Sequence, residues 1–365
     1  MSKIRKQIFL LYMISILESF KLAGASWVAL LAARGFSMLE IGAAESIFHV
    51  ASLLFEVPSG VISDVFGRKR SMVMCHCMFA LSAVTMILAD SFPGIGAAMV
   101  LNAFAYNFAS GTREALAYDS LKQEGREEEY VSFSSWEMMI YRLGAAGATL
   151  LVGLALWMGW RKAYTLDGGI SLVCVGLALG LWEPAFGQKK TEKQGLRGIF
   201  RETVSCFQES FAFMGRNPRA MGLMIWNALI GACATLTLYF LQARLTDAGL
   251  EYKNLGLALF FMTLGGAAGA KAVPLFHSWR YKKLSLLCLG GVALGFAAST
   301  GEQPLLMILG GFAGAFFDDL IQVRTDVLLN GMVPSGQRAT LLSISSLCFS
   351  GVMIFLALLF GGIYG

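Results

Sequence analysis

The stretch Gly60-Val-Ile-Ser-Asp64-Val-Phe-Gly67-Arg68-Lys69-Arg70 decides how this chain is read. It is a short polar turn with one acid facing three cations, and its glycines permit a sharp reversal and close packing. Apolar segments flank it, over about 38–62 and 71–89. A bilayer core about 30 Å thick takes about 20 helical residues to cross, so the turn joins two segments of membrane-spanning length.

Further segments of that order run over about 8–32, 95–121, 130–157 and 163–183, then 219–243, 253–276, 282–299, 304–330 and 337–361. Six spans, a polar interval and five spans are therefore expected. Closed barrels would need alternating segments of about ten residues, and none is present. The composition agrees, at 56% hydrophobic and 15% charged with a mean hydropathy of +0.63, where a soluble domain carries about 25% charged residues. The net charge is +5, but the cations lie in short loops rather than on one face, which excludes a nucleic-acid partner. The seven cysteines lie almost entirely inside the apolar runs, against a disulfide framework. Successive helix positions point about 100° apart, so Cys75-His76-Cys77 cannot share one ion and no metal is expected.

The apolar run after Lys3-Ile-Arg-Lys6 is too long for a signal peptide and reads as a retained first span. With the N-terminus inside, Lys and Arg are roughly fourfold more frequent in inner than in outer loops. The sequence thus predicts a multi-pass protein of the cell's inner (cytoplasmic) membrane with a cytoplasmic N-terminus. The interval 184–218 places Leu196, Ile199, Phe200, Val204, Phe207 and Phe211 at helical spacing, which predicts a helix lying on the inner membrane surface. Small residues four apart, such as Gly265/Gly269 and Gly291/Gly295, predict close helix packing.

The pattern Gly-x3-Asp-x2-Gly-Arg-Lys between the second and third spans resembles the signature loop of the major facilitator superfamily. Glu56-Val-Pro58-Ser-Gly60, Gly159-Trp-Arg161 and Asp119 at the end of span four are further similarities. The resemblance covers essentially the whole chain. It implies an all-α fold of two pseudo-symmetric helical bundles, 1–183 and 219–365, that rock about a central cavity. It also implies a conformational latch of Gly60, Asp64, Gly67, Arg68, Lys69 and Asp119. The position after the aspartate, often basic in the family, is Val65 here. The family pattern has twelve helices against the eleven segments counted, so the chain is expected to lack the last one, by truncation before natural variation.

A charge inside the membrane costs about 2.5–3.5 kcal/mol on insertion scales, so each needs a reason. Glu18 and Lys21 lie in span one. Glu45, His49, Ser52 and Glu56 form a polar stripe in span two. Tyr106 and Arg113 share a face of span four, Glu137 and Tyr141 one of span five, and Asp318 and Asp319 sit in span ten. In the family, spans one, four, seven and ten line the cavity. Glu18, Arg113, Asp318 and Asp319 are therefore expected there, with Tyr106 and Trp226 as aromatic walls and Glu45, His49 and Glu137 as further candidates. Pairing of Arg113 with Glu18 or Glu137 to hold helices together is an equal alternative.

The expected function is secondary transport of a small solute, with the bilayer as the surrounding medium and a monomer as the working unit. Desolvation favours the neutral form of a carboxylate, so Glu18, Glu45 or Asp318 would take up and release a proton, and no other cofactor is expected. Acid-rich spans with many aromatics and methionines lean toward efflux of lipophilic or cationic compounds. The stretch Gly144–Gly153 lacks the Gly-Pro motif common in family antiporters, so uptake of a small metabolite stays open, as does a transporter-like sensor. An enzyme is not expected, because His49, His76 and His277 are scattered and no HExxH or GxSxG pattern occurs.

Overall fold

A computed structural model of the chain describes residues 2–184, 215, 217–332 and 338–365, and all regular structure among them is helical. The helices are α1 (Lys3–Glu18), α2 (Leu22–Ala25), α3 (Trp27–Ala33), α4 (Met38–Phe66), α5 (Arg68–Leu88), α6 (Phe92–Ala109), α7 (Thr112–Gln123), α8 (Tyr130–Leu150), α9 (Val152–Met158) and α10 (Trp160–Leu179). After the interval come α11 (Pro218–Asp247), α12 (Tyr252–Ala272), α13 (Tyr281–Ser299), α14 (Pro304–Met332) and α15 (Arg338–Tyr364). The surface helix expected over Leu196–Phe211 lies outside the described residues, as does the side chain of Asp64.

Among the described residues, eight helices are long and apolar enough to cross a membrane, and α8 with α9, bent by 50°, makes a ninth. Span one is not a single helix but α1, α2 and α3 in succession, and span four is divided into α6 and α7. The count of eleven is therefore not reached by length and composition alone. The break in span four has a local cause. Gly111, between α6 and α7, has φ +68°, a conformation open to glycine and strained for most other residues. Gly67, between α4 and α5, has φ +93° and turns the chain through the signature loop.

The chain forms two compact units whose borders interleave along the sequence. The first comprises Met1–Ala25, Ala51–Ala148 and Met158–Gln208. Its core joins α1, α5, α7, α8 and α10 through Leu11, Ile14, Met72, Leu116, Phe133 and Cys174. The second comprises Ser26–Val50, Thr149–Trp157 and Glu209–Gly365. Here Ala29 of α3 and Val152 of α9 are buried with Leu241, Leu255, Leu259 and Met307.

The second unit packs backbone against backbone. A Cβ on Gly265 or Gly269 of α12 would overlap the Phe312 or Phe316 carbonyl of α14, and one on Gly256 would strike the Leu150 carbonyl. Gly295 and Gly310 approach each other in the same way, and a Cβ on Gly42 would meet the Ala357 carbonyl. Small residues of this kind let helices approach closely where apolar burial gives no drive for helix association.

Candidate functional site

The break in span one follows Glu18, and the break in span four precedes Arg113 by two residues. Both charged side chains therefore stand beside interrupted backbone, and they meet. Arg113 pairs with Glu18 through Nη2 and with Glu137 of α8 through Nη1 at 2.8 Å. Ser15 of α1 accepts a further bond from Arg113 Nη1 at 2.8 Å and donates its hydroxyl proton to Glu137. The three charged side chains are each about four-fifths buried or more. Three spans are thus pinned by one guanidinium, whose planar donor fork suits two carboxylates at once.

The open turn of span one is held from the other side by Asp167 of α10. Its Oδ1 accepts the Leu22 N–H at 2.7 Å and its Oδ2 the Gly24 N–H at 2.9 Å. These donors belong to the first turn of a helix and would otherwise lack partners. Between Glu18 and Leu22 sits Lys21, whose ammonium lies 3.7 Å above the Phe79 ring. Tyr106 stands edge-on to Phe79, with ring centroids 5.5 Å apart, and remains 57% exposed.

A second polar group marks one end of this unit. Arg68 pairs with Asp119 at 2.5 Å, two of the residues expected to form the latch. Glu183 accepts the Arg68 N–H at 2.9 Å and the Lys69 N–H at 2.7 Å, capping α5 just after Gly67. Gln7 ties Ser120 at 3.2 Å to the Trp182 carbonyl at 3.0 Å.

The remaining expected residues fall in the second unit. Glu45 and His49, one turn apart on α4, are buried and paired at 3.3 Å, and His49 Nδ1 lies 3.2 Å from Ser350 Oγ of α15. Asp318 and Asp319 of α14 occupy space left by glycines: a Cβ at Gly231 would lie 3.3 Å from Asp318 Oδ1, and one at Gly266 2.5 Å from Asp319 Oδ2. Asp318 makes no hydrogen bond or ion pair among the described residues. Trp226 packs against the cluster that holds Ile230 and Leu320, and its Nε1 is buried without a hydrogen-bond partner among the described residues.

The structure therefore gathers Glu18, Arg113 and Glu137 into one cluster and puts Glu45 with His49 in another. Asp167, Glu183, Ser15 and His76 were missed as site residues. For Asp167 a signal existed: it is a lone acid in an apolar span, the criterion that found Glu18. His76 was read against its neighbours Cys75 and Cys77 and as one of three scattered histidines. In the fold, donor atoms of Cys75 and His76 come within 4.8 Å of a Glu18 carboxylate oxygen and of each other.

The Major Facilitator Superfamily profile matches residues 8–299. The chain is 22% identical over 329 residues to the uncharacterized MFS-type transporter YxaM of Bacillus subtilis, covering 88% of this chain and 79% of that one. It is 23% identical over 334 residues to the 3-(3-hydroxy-phenyl)propionate transporter of Escherichia coli, covering 87% and 76%. The crystal structure of the nucleoside transporter NupG superposes with a TM-score of 0.76 at 19% identity, over 98% of this chain and 90% of that one.

Proposed function

The chain belongs to the major facilitator superfamily, and on that premise we propose that it is a proton-coupled secondary transporter moving a small solute by alternating access. It is a multi-pass membrane protein of a transporter family. The reading extends to the cell's inner membrane, a cytoplasmic N-terminus, a monomer, two rocking bundles (1–183 and 219–365) and no cofactor beyond the proton.

One observation carries it. Glu18, Arg113 and Glu137 form a buried ionic cluster with members beside the breaks in spans one and four. A helix break is where backbone can change conformation without dismantling a hydrogen-bonded ladder, and a change of charge beside it biases that change. Transport needs such a two-state element, whereas a merely structural ion pair would serve as well on continuous helices. Arg68 and Asp119 steady one state, while Asp318, with no partner among the described residues, offers a second protonation site.

For direction we favour efflux of lipophilic or cationic compounds. Glu18, Glu137 and Asp167 outnumber Arg113 and Lys21 near the breaks, and Asp318 and Asp319 add acid in the second unit. Uptake of a small metabolite is the second reading. It is favoured by relatives described as transporters of 3-(3-hydroxy-phenyl)propionate and of nucleosides.

The test is flux in proteoliposomes under an imposed pH gradient of either sign. Lipophilic cations, nucleosides and phenylpropionates would be offered in turn. Gradient-driven export of a cation supports the first reading, and accumulation of a metabolite supports the second. Specific binding with no flux of any solute would make the protein a sensor and defeat the proposal.

A further inference from the structure

Among the described residues, His76 is a group near the ionic cluster whose chemistry the reading above leaves unused. It sits on α5 with no exposed surface, and neither ring nitrogen has a hydrogen-bond partner among the described residues. Its Nδ1 lies 3.7 Å from Glu18 Oε1, beyond a hydrogen bond but within ion-pair reach should the ring carry charge. Buried polar nitrogens are nearly always satisfied, and an unsatisfied pair asks for an explanation.

The surroundings supply one. Glu18 and Lys21 face the ring from the first span, Arg113 from α7, Cys75 from its own helix and Phe79 from one turn along it. Behind them, Glu137 of α8 holds Arg113, and Asp167 of α10 holds the turn that carries Lys21. Cys174 of α10 lies beside Cys75. With every group in its usual ionic form, Glu18, Glu137 and Asp167 set three negative charges against the two positive charges of Arg113 and Lys21. The cluster is one positive charge short of neutral, and a surplus charge away from water is unfavourable.

We propose that His76 takes up the coupled proton, in partnership with Glu18. This rests on the proton-coupled reading above and names the group that serves it. On protonation, Nδ1–H donates to Glu18 Oε1, the 3.7 Å gap closes, and the cluster becomes neutral. The only bond made is N–H, and its proton comes from and returns to water. Glu18 is then shared between imidazolium and guanidinium. Because Glu18 ends α1 and Arg113 lies in the first turn after the break in span four, one proton loosens the tie between two interrupted helices.

The chain has three histidines, so histidine-labelled nitrogen NMR of the purified whole protein can follow each ring directly. The expected result is one ring titrating between about pH 5 and 9, absent in His76→Gln, with a midpoint moved by about one pH unit, a tenfold change in affinity, in Glu18→Gln. In proteoliposomes His76→Gln should keep solute exchange within about twofold and lose gradient-driven accumulation at least tenfold. Should His76→Gln not fold, the Glu18→Gln titration still decides the matter. A ring 76 that keeps one ionic form across the range overturns the proposal. So does purified protein holding a stoichiometric metal ion that His76→Gln releases, since that makes Glu18, Cys75 and His76 a metal site. If ring 76 titrates while no solute responds to pH, the transport reading fails and the proton site stands.

Discussion

The two units solve the same problem with opposite means. The first breaks its helices and ties them with charge: Arg113 between Glu18 and Glu137, Asp167 on the opened turn of span one, Glu183 on the start of α5. The second keeps long helices, α11 of 30 residues and α14 of 29, and brings them together by glycines that let backbones touch. Close backbone packing rewards one fixed geometry. Ion pairs and hydrogen bonds can be exchanged for others of like strength. The contrast places the capacity for rearrangement in the first unit and rigidity in the second.

Breaking the contrast at its strongest point gives the largest effect. Arg113→Ala would leave Glu18 and Glu137 buried without their shared cation. Removing one partner of a buried pair costs about 3–5 kcal/mol, so the variant should unfold far more readily in detergent, as followed by thermal denaturation. In the second unit, Gly256→Leu would drive a side chain into the Leu150 carbonyl. Overpacking of this kind costs about 1–3 kcal/mol, and reduced yield of monodisperse protein would report it, whereas an unaffected variant would show the seam to be soft.

Asp167→Ala removes the acceptor of two N–H bonds, at about 1.5–3 kcal/mol for a charged acceptor. Protease or hydrogen-exchange sensitivity should then rise around Ser19–Ala25, with α12 to α14 unchanged; a uniform loss of protection would mean that the first unit is not separately held. Glu183→Gln keeps one acceptor for the N-terminus of α5 and should cost under about 1 kcal/mol. At the bottom of the scale, Cys77→Ser alters an exposed position with no partner in the cluster and should shift stability by less than about 0.5 kcal/mol.

Much of the fold was legible because apolar length is a crude and strong signal. The turn at Gly60–Arg70 fixed the family resemblance, and Gly67 does take the positive φ that a sharp reversal uses. The pairing of Arg68 with Asp119 was suggested by the same resemblance. The pairing of Arg113 with both Glu18 and Glu137 was foreseen only as one of two readings, since charge in a span demands a partner without saying which. The breaks in spans one and four were not read. Residues 19–26 are apolar enough to continue a helix, and what stops it is Asp167, about 145 residues along the chain, competing for the backbone donors. Tertiary competition of that kind leaves no periodic trace. His76 was hidden differently: its relation to Glu18 exists only once α1 and α5 are side by side.

The interleaved border between the units bears on how the protein is made. Ser26–Val50 and Thr149–Trp157 leave the ribosome early, yet they pack with helices that are synthesised after residue 209. Ala29 and Val152 must wait, with their apolar faces uncovered, until Leu241, Leu255 and Met307 have been inserted. The first unit needs nothing beyond residue 208 to be complete. A chain divided within the interval between the units and expressed as two pieces would therefore give an early piece with its own core and two idle segments, and a late piece lacking part of its wall. Co-expression should recover both, and the late piece alone should be the one cleared by membrane quality control.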